Sequence, residues 1–278
     1  RKNYKGTQVM RELLTKDDYN PINKNFKFYT VVANVYMSRY VIAKDSNGQN
    51  DPYVSIKCVD NEQKTTVKTN TVNGIWNEKL IFDNVTLDIN NKSSWPILIC
   101  KINDYDSLTK DDLLAYSYIW LSDANYTINS IDLVKPKWHQ LYLPKSNRQQ
   151  GEILISFYIL DSNHSKCMYD IVSIPETVPY SFEINLLGLR DLKPLSLLPV
   201  KKAFIKFDMN SLNVSGLSEE TLQPIKTEPK DSGSNPTINT VIKFDVKLPK
   251  EDIFMPELQC EVYDHLLSGM LNPLMGVF

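Results

Sequence analysis

No apolar run in the chain is long enough to cross a bilayer, and the opening Arg1-Lys2-Asn3-Tyr4 is not a signal peptide. Histidine is scarce: His139, His164 and His265 stand alone, without metal-ligand spacing. There is neither a glycine-rich phosphate loop nor a Gly-x-Ser-x-Gly elbow. These absences argue against an enzyme and against a small-molecule substrate. The four cysteines, Cys58, Cys100, Cys167 and Cys260, lie far apart and read as small buried apolar residues in a reducing compartment. A formal net charge of −2 over 278 residues gives no bulk attraction for nucleic acid or anionic membrane. Any such attraction has to come from a local patch or a bound metal. Asn-x-Ser/Thr triplets at Asn84, Asn91 and Asn125 read as chance in an asparagine-rich chain. The start without Met and the stop at Gly276-Val277-Phe278 read as a cytosolic fragment of something longer, which itself carries an anchor elsewhere.

What the chain does have is arranged aspartate. Asp45 and Asp51 stand six apart in Lys44-Asp45-Ser46-Asn47-Gly48-Gln49-Asn50-Asp51-Pro52-Tyr53. Asp104, Asp106 and Asp112 stand in Asn103-Asp104-Tyr105-Asp106-Ser107-Leu108-Thr109-Lys110-Asp111-Asp112. Each group follows a strand-like apolar run. If the two loops meet at one end of a sandwich, the carboxylates converge, and like charges at contact distance raise each other's pKa unless a cation joins them. Ca2+ suits such a set, being hard and able to take about 6–8 oxygens at adjustable geometry. Aspartates also cap backbone amides in turns, and Asp51-Pro52 alone fits that role. Both spacings together do not.

Eight short runs predict strands at Phe28–Met37, Pro52–Val59, Lys64–Thr69, Glu78–Val85, Pro96–Asn103, Leu113–Leu121, Trp138–Leu143 and Glu152–Leu160. Their turn-rich breaks and alternation indicate an all-β antiparallel sandwich. Val54, Ile56 and Cys58 share one face; so do Ile153, Ile155, Phe157 and Ile159. Residues 1–25 form a polar flanking segment, 26–161 the first unit, and 162–178 a linker. Residues 179–278 form a second β-rich unit, with strands at Tyr180–Leu187, Ala203–Met209, Thr240–Lys247 and Glu257–Tyr263. Between Asn210 and Asn239 a polar insertion has too little apolar surface to offset its ordering entropy and is expected to be mobile. The second unit is expected to be incomplete, lacking its final strand or strands.

The first unit resembles a C2 domain, an eight-stranded calcium- and lipid-binding sandwich. The matching residues are Asp51-Pro52-Tyr53-Val54, Asn73-Gly74-Ile75-Trp76-Asn77-Glu78, Asp104-Tyr105-Asp106 and Asp112-Leu113-Leu114-Ala115, with Ala115 in place of the usual glycine. Trp138-His139-Gln140-Leu141 and Gly151-Glu152-Ile153-Leu154 resemble the closing strands of the permuted C2 topology. Ser181-Phe182-Glu183-Ile184-Asn185-Leu186-Leu187-Gly188-Leu189-Arg190-Asp191-Leu192-Lys193, Val246-Lys247-Leu248-Pro249 and Cys260-Glu261-Val262-Tyr263-Asp264 resemble a degenerate C2 domain of the ferlins. Ferlins are large tail-anchored proteins with many C2 domains that act in vesicle fusion and membrane repair.

The resemblance implies two C2 sandwiches in tandem, the first holding Ca2+ through Asp45, Asp51, Asp104, Asp106 and Asp112, helped by the carbonyls of Lys44 and Tyr105. Asp111 competes with Asp112, but the offset of eight from Asp104 favours Asp112 and leaves Asp111 as a solvent-facing neighbour. Leu108 is expected to dip into the membrane interface while Lys110 meets headgroups. The implied partners are an anionic phospholipid membrane at its cytoplasmic face and membrane-fusion proteins, with a transmembrane tail outside this stretch. An interaction scaffold with calcium-independent or partner-directed binding is the alternative. Lys57, Lys64 and Lys68 read as a solvated strand face rather than a second lipid patch. In the second unit Lys202 takes the place of Asp51, Leu266 that of Asp106 and Asn272 that of Asp112, which leaves Asp264 to pair with Lys202. The apolar loops there, around Leu195–Val200 and Leu266–Leu271, are candidate docking tips.

Overall fold

The computed structural model describes residues 25–41, 50–107, 109–144, 146, 148–161, 163–195, 199–212, 225–231 and 233–278. The flanking segment before residue 25 lies outside them. The first unit contains β1 (Lys27–Arg39), β2 (Pro52–Cys58), β3 (Asn61–Lys64), β4 (Ile75–Leu87), β5 (Ile97–Asp104), β6 (Asp112–Trp120), β7 (Tyr126–Ile128), β8 (Lys137–Tyr142) and β9 (Gln149–Asp161). Hydrogen bonds follow the order β3-β2-β5-β6-β8-β9-β1-β4, with β7 parallel to β9. The two layers β3-β2-β5-β6 and β8-β9-β1-β4 meet through the single pair Tyr116↔Tyr142, so the ladder folds into a sandwich. Between the layers lie Val31, Ala33, Val35, Val54, Ile56, Cys58, Trp76, Phe82, Ile102, Phe157 and their neighbours.

Two details differ from the sequence reading. The strand expected at Lys64–Thr69 is shifted to Asn61–Lys64, because a tight turn after Cys58 starts the pairing Cys58↔Asn61 at once. Residues 65–68 then follow β2 less regularly, with N–H bonds from Thr65 to Val54 O (2.9 Å) and from Lys68 to Pro52 O (2.9 Å). β7 has no counterpart among the expected strands. The lysine face is largely neutralised: Lys68 lies 3.5 Å from Glu78, and Lys57 stands opposite Glu62.

Gly151, near the start of β9, has φ +79°, and a Cβ there would sit 2.8 Å from Arg39 O and 2.9 Å from Tyr40 O. Gly151→Ala is expected to cost about 1–3 kcal/mol, read as a lower urea midpoint at unchanged slope.

The second unit contains β10 (Thr177–Gly188), β11 (Lys202–Asp208), β12 (Ile225–Lys226), β13 (Lys230–Asp231), β14 (Thr237–Pro249), β15 (Gln259–Asp264) and β16 (Leu274–Val277). β10 and β14 form a two-stranded sheet, and β12-β11-β15-β16 with β13 form a five-stranded one. β12 and β13 fall inside the stretch read as an insertion and pair with β11, while residues 213–224 lie outside the described ones. The described residues are thus all-β, two C2-type sandwiches in tandem.

β1 and β9 are covered on both faces. Val31, Val35, Ile155 and Phe157 face the first core, whereas Tyr36, Met37 and Leu154 join Ile205, Phe207, Met209, Ile242 and Phe254 of the second unit in one apolar cluster. The Tyr36 ring meets Phe254 at 4.9 Å, and Arg39 bonds Glu152 (Nη2–Oε2 2.7 Å) beneath a Tyr40–Glu257 hydrogen bond. Farther along the same outer face, Val32, Tyr158 and Leu160 pack under Ile171 and Met168, so a 3-10 turn at Ser165–Asp170 lies against the first unit within the stretch read as linker.

Candidate metal centre

β2, β5 and β6 are neighbours, and their ends bring the predicted acids together. Asp104 closes β5 between two partners, Pro52 on β2 and Asp112 on β6. Adjacent strands are about 4.8 Å apart, so Asp51, Asp104 and Asp112 stand at three successive strand ends. Asp104 is buried at 5% exposure, and its Oδ1 accepts the Asp51 N–H at 2.7 Å. The Tyr105 N–H in turn reaches Asp51 O at 3.0 Å. Asp51 is half-buried and its Oδ1 accepts the Asn70 N–H at 2.8 Å, which ties the loop before β4 to the same spot. Asp106 is half-buried and Asp112 exposed.

Asp45 and Leu108 lie outside the described residues; Lys110 is exposed. Among the described residues no three acid, cysteine or histidine side chains close into a metal cage. The chemistry of the set still fits a hard cation, since every predicted ligand atom is a carboxylate or carbonyl oxygen. Each carboxylate offers about four lone-pair directions, so accepting one N–H does not exhaust it.

Asp111 is not a solvent-facing neighbour. It is half-buried, accepts the Tyr53 hydroxyl at Oδ2 (2.6 Å) and the Asp106 N–H at Oδ1 (3.3 Å). The Tyr53 hydroxyl first, and then the Asp106 N–H, hold its carboxyl below the usual range. Burial, reinforced by Asp111, pushes the Tyr53 hydroxyl up to about 12. Asp111 therefore fastens the Asp104–Asp112 loop to β2 and sets where Asp106 sits. Sequence reasoning missed it because its partner lies 58 residues away.

The second unit repeats the scaffold and keeps one of the corresponding acids, Asp264. Lys202 N–H donates to Asp264 Oδ1 at 2.8 Å, as Asp51 N–H does to Asp104. His265 N–H reaches Lys202 O at 2.9 Å, as Tyr105 N–H reaches Asp51 O. Thr227 clasps Ile205 through its N–H (2.8 Å) and hydroxyl (3.0 Å), as Thr65 clasps Val54. The bond between Asp264 and Lys202 thus comes from the lysine's backbone, and the Lys201 N–H adds a second at 3.1 Å. A cleft of about 530 Å³ lined by Lys201, Lys202, His265 and Leu267 stands at this loop end, where ammonium groups disfavour a cation. The chemistry of the other lone groups is quiet. All four cysteines are free, and burial pushes Cys58 and Cys100 up to about 12, which keeps them as unreactive thiols.

The model of the C2 domain family matches residues 29–141. Myoferlin of Mus musculus is 22% identical over 267 residues, covering 89% of this chain and 12% of its own length. Fer-1-like protein 4 of Mus musculus is 19% identical over 274 residues, covering 88% of this chain and 13% of its own. Among solved structures, the calcium-bound tandem C2 domains of Extended-Synaptotagmin 2 align at a TM-score of 0.37 and 17% identity, covering 90% of this chain and 82% of that one. The chain therefore spans about an eighth of the length of the ferlins it matches. Match and strand-end bonding agree over residues 29–141, which form a C2 domain; the chain as a whole is similar to the C2 regions of ferlins, and its second unit repeats the C2 strand-end bonding.

Proposed function

We propose that the first unit binds Ca2+ through Asp51, Asp104, Asp106 and Asp112, with Asp45 completing the set, and thereby docks on anionic phospholipid at the cytoplasmic face of a membrane. The supporting observation is the register Pro52↔Asp104↔Asp112, which gathers three acid positions at neighbouring strand ends. Loop carboxylates alone leave such ions short of oxygens, and lipid phosphates fill the remaining positions, so calcium affinity rises with membrane present. The ions also turn a lipid-repelling loop end into an attracting one; each basic charge near such a surface contributes about 1 kcal/mol. Leu108 and Lys110 are the residues that would enter the interface. In the whole protein, this docking would serve vesicle fusion and regulated exocytosis beside a tail anchor and fusion proteins. The role is binding, not catalysis.

The test is pelleting with anionic and neutral vesicles, with and without calcium. Asp104→Asn keeps an acceptor for the Asp51 N–H but removes the charge, and should abolish calcium-dependent pelleting with an unchanged melting midpoint. A variant that pellets like wild type overturns the assignment.

A second reading, a calcium-independent interaction scaffold, rests on the second unit's exposed loop residues, Leu195 (59%), Leu267 (72%) and Met270 (88%). Partner capture that ignores calcium and lipid alike would favour it.

A further inference from the structure

The loop 69–73 touches two things at once. On one side it reaches the candidate metal centre: the Asn70 N–H bonds Asp51 Oδ1 at 2.8 Å, and the Thr71 N–H bonds Asn50 O at 3.0 Å in an isolated bridge. On the other side it meets the end of β11 in the second unit. The Thr71 hydroxyl donates to Asp208 Oδ2 at 2.7 Å, and the Asn210 side-chain amide reaches Thr69 O at 3.4 Å. Asn73 Nδ2 lies 3.5 Å from Gln259 Oε1 on β15. Thr71 and Asp208 are each 2% exposed, so this contact is sealed from water rather than a surface touch.

We infer that the second unit, where Lys202, Leu266 and Asn272 stand in the places of Asp51, Asp106 and Asp112, is a brace that positions the metal loop of the first through Asp208 and Thr71. The inference rests on the calcium reading given above and adds a cause for the position of Asp51. A loop free at that point would let Asn70 and Asn50 drift, and with them the Asp51 carboxylate. An ion held by several carboxylates is sensitive to such drift, because each ligand lost to disorder has to be ordered again on binding. Thr71 and Asp208 are positioning residues and touch no ligand themselves. Asp208 Oδ1 is meanwhile held by the N–H groups of Asn210 (3.1 Å) and Ser211 (3.3 Å), so its other oxygen is presented to Thr71 in a fixed direction. The degenerate unit has thus kept the strand-end scaffold and put its opposite end to use on its neighbour.

The experiment takes the full chain and three proteins: wild type, Thr71→Val and Asp208→Asn. Valine matches threonine in shape but cannot donate. Asparagine keeps the contact, because its Oδ1 accepts from Asn210 and Ser211 while its Nδ2 donates to the Thr71 hydroxyl. Calorimetric titration with calcium chloride, without lipid, should show the half-saturating concentration raised about fivefold in Thr71→Val, the equivalent of one lost hydrogen bond. Asp208→Asn should stay within about twofold of wild type. Amide hydrogen exchange without calcium gives an independent reading: protection at Asn70 and Thr71 should fall in Thr71→Val and hold in Asp208→Asn. If Thr71→Val keeps both its calcium affinity and its protected amides, the brace is overturned. If wild type shows no heat with calcium, the metal reading fails on its own, and the positioning of Asp51 for an ion fails with it, whatever the exchange shows.

Discussion

Leu154→Asp should release the second unit and cost about 3–5 kcal/mol, the range for a charge left buried without a partner. Leu154 is 0% exposed, yet it does not belong to the first core. Its neighbours Ile153 and Ile155 point between the layers, and Leu154 points out, beside Met37 and Trp138 in the ladder. In a lone sandwich that face meets solvent, where a carboxylate changes stability by less than about 0.5 kcal/mol. Here it meets Ile205, Phe207 and their neighbours. The size of the effect therefore reports whether the units are docked, not whether the first unit folds. Urea unfolding gives the energy, and limited proteolysis gives the place: cleavage should appear in 179–278 and spare 26–161. An unchanged urea midpoint with protected β11 and β15 would show that the second unit is not seated on β9.

That face also marks where sequence reading stops. The strand periods in the first unit were legible where a strand shows water a residue between buried neighbours, as β2 does at Lys57 and β6 at Tyr118. In β9 the run Ile153 to Leu160 is apolar apart from Ser156, and such a near-continuous run does not say what covers its second face. Only the fold shows that Leu154 serves the second unit and Tyr158 and Leu160 the turn at Ser165–Asp170. The acidic spacings placed Asp51, Asp104 and Asp112 at one end of the sandwich, since strand ends follow from strand starts. They did not reveal Asp111 or Thr71, whose partners Tyr53 and Asp208 lie 58 and 137 residues away. Short strands were missed for another reason. β12 and β13 carry mostly polar residues and are held by the Thr227 clasp on Ile205, a device identical to Thr65 on Val54 that no period reveals. β16 follows a Pro-containing turn and is only four residues long.

Acidity should strengthen this molecule at one place while weakening it elsewhere, and Asp208 is that place. Burial pushes its carboxyl up to about 6, against 3.8 when free; the Glu261 carboxylate adds to the rise, and the Thr71 hydroxyl, the Ser211 N–H and the Lys206 ammonium oppose it. A folded-state pKa above the unfolded one means stability that is complete below about pH 4 and is lost as pH rises through about 6. The difference is about 3 kcal/mol, since each pKa unit corresponds to about 1.4 kcal/mol. Asp111 and Asp161 run the other way: hydrogen bonds, from Tyr53 and from His164 first, hold them below the usual range, so their contributions fade as pH falls through their lowered values. A melting curve of wild type alone mixes these slopes. The difference between wild type and Asp208→Asn isolates the buried group, because asparagine carries no titration and keeps its three bonds. Urea unfolding at intervals from pH 4 to pH 8 should show the variant gaining on wild type by about 3 kcal/mol toward pH 8, most of it between pH 4 and pH 6. Parallel curves would mean that Asp208 titrates as an exposed carboxyl, and that the seam between β11 and the 69–73 loop admits water.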